Sequence, residues 1–438
     1  MRRTGLATLA ALAAVTTPAL ADNSALRPAI PPDDPPATAP LPNLPPDPIT
    51  TASVAKAAPP EDPYAALGIR AGGFILYPSL TATAGYTTNA DGAAGGSASG
   101  FGILEPELML QSDWDRNSAT ITAKGAYQKY FDDTTPDDPS ASLDAAGTLD
   151  ISEGWSADVD ATYDYSRQSP TDASFPTGAD TPPGVHEFTG TTSVTGAFGM
   201  GTFTLEASAD RTFYENGETS GGTVLDQSFR TNTLYGGRLR VGYEVAPGLT
   251  PFVEGTVSRR AFDQTLDDNG LARSATGFGG KVGIAFDTGP LLSGEASVGY
   301  AEMTPDDAAL ATLSAVTFDG SLTWAPTELV TVTFDGSTTL DPSTDPASSG
   351  SVDYNTSVNV DYAWRRNVVL NANASYDDTR YQGTGEVDTT WDAGLGVTWK
   401  MNRTAWLTGS YVHEWGDSNI PGSAYQSDTV KAALKLQH

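Results

Sequence analysis

The sequence predicts an all-β fold, a transmembrane antiparallel β-barrel of about 18 strands with short periplasmic turns and long extracellular loops. From about residue 73 to residue 438, eighteen runs of alternating apolar and polar residues can be counted. The breaks between them alternate between short and long, and tryptophan and tyrosine gather near the breaks. A closed sheet explains the pattern, because hydrocarbon satisfies no backbone hydrogen bond and only closure leaves no edge exposed.

The first element, residues 1–21, is a predicted secretory signal. Arg2 and Arg3 precede an apolar run, and the small residues of Ala19–Ala21 form a cleavage site. This order of positive, apolar and small residues is typical of exported chains. We therefore expect cleavage before Asp22.

Residues 22–67 form a predicted disordered periplasmic linker. The segment holds thirteen prolines and almost no aromatic residue. It has too little apolar surface to fold alone, and its prolines favour extended conformations. A tether is the simplest role, and partner binding or a peptidoglycan-spanning role is the alternative. The barrel is then predicted over residues 68–438.

Alternation within the runs predicts strands with one face in lipid and the other in water. In the second run, Leu104 and Leu108 fall on one face, whereas Glu105 and Glu107 fall on the other. The same period of two is found in the runs that begin at residues 143 and 352. Carboxylates cannot lie in hydrocarbon, so their face is predicted to line an aqueous lumen.

The breaks predict eight tight turns and nine longer loops, which together join eighteen strands. The short breaks lie at 115–117, 153–154, 199–201, 246–248, 288–290, 326–328, 365–367 and 402–404. The long breaks lie near 87–100, 132–141, 168–187, 215–229, 263–274, 303–313, 341–351, 382–388 and 417–426. Both ends of the barrel then fall on the short-turn side, as in outer-membrane barrels.

Aromatic residues predict two girdles at the membrane–water interfaces. One group lies within a few residues of the short turns: Trp114, Trp155, Trp324, Trp364, Trp399 and Trp406. A second group lies near the long loops and includes Tyr86, Tyr214, Tyr300, Tyr381, Trp391 and Trp415. A soluble sandwich would instead bury tryptophan in the middle of its strands, so this distribution favours a membrane barrel.

The first two runs resemble a known family. Gly73–Leu80, continuing to Gly85–Asn89, and Leu104–Trp114 are similar to the opening strands of outer-membrane β-barrel porins of alpha-proteobacteria. The similarity extends over most of residues 68–438. The resemblance implies an outer-membrane barrel of poorly defined function, with some relatives linked to surface-polysaccharide production. It implies no catalytic or ligand-binding residue.

The predicted lumen carries charges of both signs. Its candidate functional residues are the acidic Glu105, Glu107, Asp158, Asp160, Asp164 and Glu254 and the basic Arg238, Arg240, Arg260 and Lys281. The acidic residues give a largely negative lining that would favour cations. Acidic and basic walls facing each other would orient dipolar solutes and set ion preference. Alternatively, Arg240 and Glu254, near neighbours around one turn, form an ion pair that stiffens the wall.

Composition and motifs exclude several functions. A net charge of −30 argues against nucleic-acid binding, and the absence of cysteine excludes thiol chemistry. Loop carboxylates match no calcium-loop spacing, so we expect no metal and no cofactor. We expect no enzymatic activity, because histidine, the usual base, is scarce: His186 in a Pro/Gly-rich loop, His413 near the outer end of the seventeenth strand, and the terminal His438.

We therefore expect a porin-like barrel in the cell outer membrane for passive diffusion of small hydrophilic solutes or ions. The long segment 168–187 is the expected constriction, and deleting residues 172–184 should raise conductance. The alternative is a non-conducting or export-linked surface barrel associated with polysaccharide secretion or envelope architecture. Expected partners are outer-membrane lipid, lipopolysaccharide, the barrel-assembly machinery and small solutes. Many porins of this size are trimers, so a homotrimer is also a candidate.

Overall fold

The computed structural model describes residues 62–132, 135–169, 175–176, 178–342 and 348–438. The predicted signal and nearly all of the predicted linker lie outside these residues. Over the described part of the chain, no helix is both long and apolar enough to cross a membrane. Regular structure consists almost entirely of β-strands.

Eighteen long strands follow one another along the chain. They are β1 (Phe74–Thr87), β2 (Ser99–Ser112), β3 (Ser118–Tyr130), β4 (Asp138–Ser152), β5 (Trp155–Arg167), β6 (Gly184–Phe198), β7 (Gly201–Tyr214), β8 (Asn232–Tyr243), β9 (Leu249–Phe262), β10 (Ala275–Asp287), β11 (Leu292–Pro305), β12 (Leu313–Thr327), β13 (Val330–Asp341), β14 (Gly350–Arg365), β15 (Val368–Gln382), β16 (Val387–Lys400), β17 (Ala405–Ser418) and β18 (Tyr425–Gln437). The loops also contain a two-stranded hairpin, Gly217–Glu218 with Val224–Leu225, and a 3-10 turn at Ser228–Arg230.

The strands form one closed antiparallel barrel. Each strand pairs with its neighbours in the sequence, and β1 also pairs with β18, from Ser79 opposite Gln437 to Thr87 opposite Thr429. The predicted all-β barrel of 18 strands is confirmed. Short turns and long loops alternate as expected, so we call the two ends of the barrel the short-turn end and the outer end.

The outward face is apolar, which explains why this sequence closes into a membrane barrel. Leu108 is 51% exposed and Leu149 is 52% exposed, and neither is covered by a second layer of protein. Inward neighbours such as Glu107 and Thr148 face the enclosed lumen. In the tight turns glycine supplies the left-handed backbone: Gly248 has φ of +72°, where a Cβ would clash with the Asp287 carbonyl oxygen.

A short strand, Ile69–Ala71, completes the wall at the short-turn end. Strand β18 ends at Gln437, opposite Ser79, which leaves the first residues of β1 without a partner on that side. Ile69–Ala71 pairs with Phe74–Leu76 and covers them. An exposed sheet edge is therefore avoided at the seam of the barrel.

Four predicted positions are wrong. Tyr214 and Tyr381, expected in the girdle near the long loops, have the inward register of their strands. His186 belongs to β6, opposite Tyr165, because the β5–β6 ladder continues to Gly184 and the loop ends at Pro183. Trp406 is only 6% exposed and faces the lumen, where Lys400 lies 4.8 Å from its ring. Proximity to a turn predicted its position along the barrel axis correctly but not the face of the strand.

Strands β13 and β14 depart from the regular wall at their outer ends. The β12–β13 ladder stops where Gly320 lies opposite Gly336, although both strands continue. Beyond it, the hydroxyl of Thr338 bonds both the N–H and the carbonyl of Phe318 in place of backbone pairing. We call residues 337–342 and 348–353 the inward hairpin, because the contacts given below place them inside the barrel.

Candidate functional site

The register places all ten candidate charges on the inward face of the barrel. Glu105 and Glu107 lie on β2, three aspartates lie on β5, and the remaining five residues lie on β8, β9 and β10. Some already have partners: Glu107 lies 3.6 Å from the Lys124 ammonium, and Asp158 accepts a hydrogen bond from the Thr148 hydroxyl at 2.8 Å. Asp160 and Asp164 form no ion pair among the described residues.

Arg238 is the centre of a buried ion-pair network. Its guanidinium bonds both carboxylate oxygens of Glu206 on β7 and, at 3.3 Å, Oε2 of Glu254 on β9. The Glu254 side chain is fully buried, and the other two are nearly so. Two carboxylates and one guanidinium that are removed from water together must satisfy each other, since an unpaired charge would be costly there.

The network continues along the wall to β12. Arg240 forms its short contact, 2.5 Å, with Glu295 on β11, whereas Glu254, the partner expected from the sequence, lies 3.8 Å away. Lys281 bridges Glu254 at 3.4 Å and Asp319 at 3.2 Å. The basic wall is therefore neutralised by its own carboxylates. Sequence reasoning missed Glu295 and Asp319, although their inward register could have identified them.

Arg260 connects two parts of the wall that are four strands apart. Its guanidinium contacts Asp341 at the end of β13 at 2.6 Å and the Asn232 side-chain oxygen at 3.2 Å. Strands β9 and β13 are not neighbours in the sheet. The contact therefore requires the outer end of β13 to lie inside the barrel, close to the inner face of β9.

An apolar contact holds the inward hairpin against the inner face of β10–β12. Met303 and Leu313 face the lumen and belong to one apolar cluster with Leu340 and Val352 of the hairpin; each of these four residues is at most 3% exposed. Gly350 permits this approach, because a Cβ there would lie 2.5 Å from the Leu313 side chain. An inward face of the wall can be covered only from within, so the hairpin occupies part of the lumen.

The base of the hairpin loop is anchored to the neighbouring outer loops. The Arg273 guanidinium donates to the Ser348 carbonyl at 3.1 Å, and the Ser349 hydroxyl accepts the Ala311 N–H at 2.8 Å. Arg273 in turn bonds the carboxylate of Asp267 at 2.5 Å, and both side chains are buried. These contacts fix the hairpin over β9–β12.

Asp267 is charged in this arrangement. Burial alone would raise the pKa of its carboxyl group, but the Arg273 guanidinium and the N–H groups of Leu271 and Asn269 outweigh burial and lower that pKa. The loop carboxylate is thus a structural counter-ion rather than a group free to bind a solute.

The expected constriction in the third long loop is shorter than predicted, because the loop ends at Pro183 rather than at residue 187. Residues 170–174 and 177 lie outside the described residues. Gln168 accepts a hydrogen bond from Arg230 at 2.9 Å, and Arg230 lies over the inward-facing Tyr214 ring at 3.9 Å. This loop therefore rests on the loop between β7 and β8, and its role as a constriction remains a prediction.

A second apolar cluster lies on the other side of the outer end. Phe101 and Ile103 of β2 and Tyr130 of β3 face inward and pack with Ala90 of the β1–β2 loop. Phe101 is fully buried. The β1–β2 loop therefore folds onto the inner face, so that the outer end of the lumen is narrowed from two sides.

The remaining inner face is rich in carboxylates. We call Asp164, Glu187 and Asp210 on β5–β7 the first carboxylate row, and Asp353, Asp377, Asp392 and Glu414 on β14–β17 the second carboxylate row. In the ladder, Asp164 lies directly opposite Glu187 and Asp392 lies directly opposite Glu414. None of these seven side chains forms an ion pair with lysine or arginine within the described part of the chain.

His186 and His413 lie on the outward face of the barrel and have hydrogen-bond partners there. His186 contacts the Tyr163 hydroxyl at 3.0 Å and Glu215 at 3.2 Å, and His413 contacts Asp428 at 2.8 Å. Among the described residues, no group of three or more His, Asp or Glu side chains is placed to hold a metal ion. The absence of enzymatic activity and of a metal stays an expectation.

The family model described as "Putative beta-barrel porin 2" matches residues 62–438. No curated protein matches the chain. Solved structures with a similar fold include the copper transporter OprC, at 10% identity, with 85% of this chain and 81% of that chain covered and a TM-score of 0.45.

Two receptors are similar at the same level. The R480A mutant of the ferric enterobactin receptor PfeA from Pseudomonas aeruginosa, in complex with enterobactin, has 9% identity, coverage of 83% of this chain and 81% of that chain, and a TM-score of 0.42. The siderophore receptor PirA from Acinetobacter baumannii has 8% identity, coverage of 83% and 80%, and a TM-score of 0.41.

Proposed function

Because the chain belongs to the family described as "Putative beta-barrel porin 2", we propose that it is a porin-like channel of the cell outer membrane for passive diffusion of small hydrophilic solutes or ions. The observation that carries the proposal is the lumen itself. Its inner face from β14 through β18 and from β1 to β7 bears hydroxyl, amide and carboxylate side chains, such as Thr81, Asn373 and Asp160. Polar walls of this kind support a water-filled path.

The inward hairpin would set the size limit of the channel. It fills the β9–β12 side of the outer end, while the β1–β2 loop narrows the opposite side through Phe101. Solutes would then pass between these two apolar clusters, along the carboxylate rows. Sieving would depend on packed strand ends rather than on a single mobile loop.

Conductance across planar bilayers tests this function. The refolded chain should produce discrete ion-conducting steps, and liposomes that contain it should swell in isotonic solutions of small neutral sugars. Lipid with detergent alone, and lipid with heat-denatured protein, are the matched controls. Absence of both conductance and swelling from protein that shows a folded-barrel gel shift would refute the diffusion function.

The same packing favours a second function. Because ion pairs fill the β7–β12 side and two apolar clusters narrow the outer end, a non-conducting or export-linked surface barrel associated with polysaccharide secretion or envelope architecture is the alternative proposal. Absence of conductance in the wild-type chain, together with conductance in a variant whose inward hairpin is released, would support a closed export barrel. Steady conductance of the wild type would exclude a permanently plugged barrel.

We also propose that lipopolysaccharide surrounds the outer end and that the barrel-assembly machinery inserts the chain through β18. The outward face of that strand presents Val430, Leu434 and Leu436, each well exposed. In cells, an epitope inserted at Asn419–Ser423 should be accessible to antibody from outside, whereas one added after His438 should not. A homotrimer remains a proposal that native mass spectrometry in detergent can test.

A further inference from the structure

The basic groups of the lumen do not offer free positive charge to a solute. The contacts above pair Arg238 and Arg240 with glutamates and Arg260 and Lys281 with carboxylates on other strands. Lys400, at the short-turn end, lies 2.6 Å from the Asp62 carboxylate. Ion pairs that are buried and satisfied contribute little field beyond their own neighbourhood, because opposite charges at contact distance cancel.

The two carboxylate rows are different, because none of their side chains forms an ion pair with a basic side chain of the described residues. Only the Arg260 guanidinium, which is already bound by Asp341, acts on Glu187 and Asp210 from a longer distance. The direct pairs Asp164–Glu187 and Asp392–Glu414 even place two carboxylates opposite each other on adjacent strands. Like charges directly opposite each other destabilise a sheet. Hydroxyl groups relieve this only locally, as Tyr425 does by donating to Glu414 at 2.6 Å. Barrel stability alone therefore does not account for these pairs.

The rows border the part of the lumen that the inward hairpin leaves open. The hairpin covers β10–β12, while the first row lies on β5–β7 and the second on β14–β17, on either side of it. The hairpin adds Asp353 to the second row from its own strand. A mobile ion that crosses the narrowed outer end would therefore pass, on both sides, carboxyl groups that form no ion pair with a basic side chain of the described residues.

We propose that the channel selects small cations and that the two carboxylate rows set this preference. The inference rests on the proposed diffusion function. Rings of Asp and Glu raise the local concentration of cations and repel anions in narrow aqueous pores. The earlier expectation of opposed acidic and basic walls is thereby replaced by acidic rows beside a neutralised basic wall.

Reversal potentials in a salt gradient test the proposal, with the refolded full chain in planar bilayers of neutral lipid. In potassium chloride the wild-type potential should have the sign for K⁺ permeation. Asp164→Asn with Glu187→Gln, and Asp392→Asn with Glu414→Gln, should each lower the ratio of K⁺ to Cl⁻ permeability by on the order of threefold. Asp115→Asn with Glu328→Gln removes two exposed turn carboxylates outside the lumen and should leave the ratio unchanged.

A stability measurement keeps selectivity separate from folding. Because each row variant removes a like-charge pair, it should unfold at the same or a higher urea concentration than the wild type. Conductance without cation preference, or a preference that the row variants leave unchanged, would overturn the inference and leave the diffusion function in place. Absence of any conductance would overturn both.

Discussion

Among single residues, Arg238 is the one whose loss should affect stability most. Arg238→Met leaves Glu206 and Glu254 buried without their shared counter-ion, which should lower the free energy of unfolding by about 3–5 kcal/mol. Urea unfolding of the reconstituted barrel, followed by tryptophan fluorescence, measures the change. In Arg116→Met the same substitution breaks the exposed pair with Asp150 and should cost no more than about 1 kcal/mol. Equal losses in the two variants would contradict the buried network.

Asp267 should make stability depend on pH at the outer end. Its pKa is lowered in the folded barrel, so its contribution is present above the ordinary aspartate pKa of about 4 and is lost as the pH falls through the folded value. Asp267→Asn should therefore lower the free energy of unfolding by roughly 1–3 kcal/mol at neutral pH, and the deficit should shrink in acid.

The exposed neighbour provides the control for this pH dependence. Asp268→Asn should change the unfolding free energy by less than about 0.5 kcal/mol at any pH, since its side chain lies in solvent. Urea titrations of both variants at several pH values make the comparison. A deficit in Asp267→Asn that grows in acid would mean that the Arg273 pair is not the source of the effect.

At the level of elements, the inward hairpin should limit conductance. Replacing Leu340 and Val352 with asparagine puts polar amides into an apolar cluster, so the hairpin should detach from β10–β12. Single-channel conductance should then rise by on the order of twofold, because the outer end widens. Leu266→Asn with Ile420→Asn changes two exposed loop residues in the same way and should have no effect.

Deletion of residues 172–184 distinguishes the two candidate constrictions. A larger conductance after this deletion, combined with no change in the hairpin variant, would place the size limit in the loop before β6. A response in the hairpin variant alone would place it at β13–β14. Folding of each variant is checked first by the shift in gel mobility between unheated and heated samples.

Period-two patterning predicted the strands but not where their ends go. The run that begins at residue 352 was predicted to alternate, which puts Val352 on its apolar face, and the register agrees. Val352 is nevertheless only 3% exposed and packs on Leu313. Alternation specifies the face of a strand relative to its own axis. The inward course of β13 depends instead on Thr338, Gly350 and the Arg260–Asp341 contact. These contacts join residues distant in the sequence, so a local pattern cannot reveal them.

For the candidate charges, too, alternation predicted the face of the strand but not every ion-pair partner. Their inward register follows from alternation, which is why Arg238 and Lys281 were identified. Of their partners, Glu254 was identified, whereas Glu295 and Asp319 were not, because they lie three and two strands away from the basic residues they contact. Only the curvature of the closed wall brings such residues together. The full set of ion pairs that neutralises the basic wall therefore could not be predicted from the sequence alone.

For the whole molecule, closure between β1 and β18 can be tested with an engineered disulfide. The chain has no cysteine, and Ala84 lies directly opposite Ala432 across the seam. Opposed residues of antiparallel strands have Cα atoms about 4.5–5.5 Å apart, within disulfide range. Ala84→Cys with Ala432→Cys should oxidise to a ring that migrates differently from the linear chain after heating.

Two controls make the cross-link specific. The single variant Ala84→Cys should remain linear, and so should Ala84→Cys with Ala209→Cys, because residue 209 lies on β7, far around the wall. Quantitative ring formation only in the seam pair fits the closed barrel. Failure of the seam pair to oxidise in folded protein would contradict the register of β1 and β18.

The unpaired stretch between β12 and β13 gives the wall a weak point. From Leu313 to Asp319, β12 is laddered to β11, whereas on its other side the described residues supply hydrogen bonds only from the hydroxyl groups of Thr338 and Tyr354. Amide protons there should exchange with deuterated solvent sooner than those of strands bonded on both sides. If the wall opens laterally, so that a hydrophobic molecule passes from the lumen into the bilayer, the opening would lie between β12 and β13.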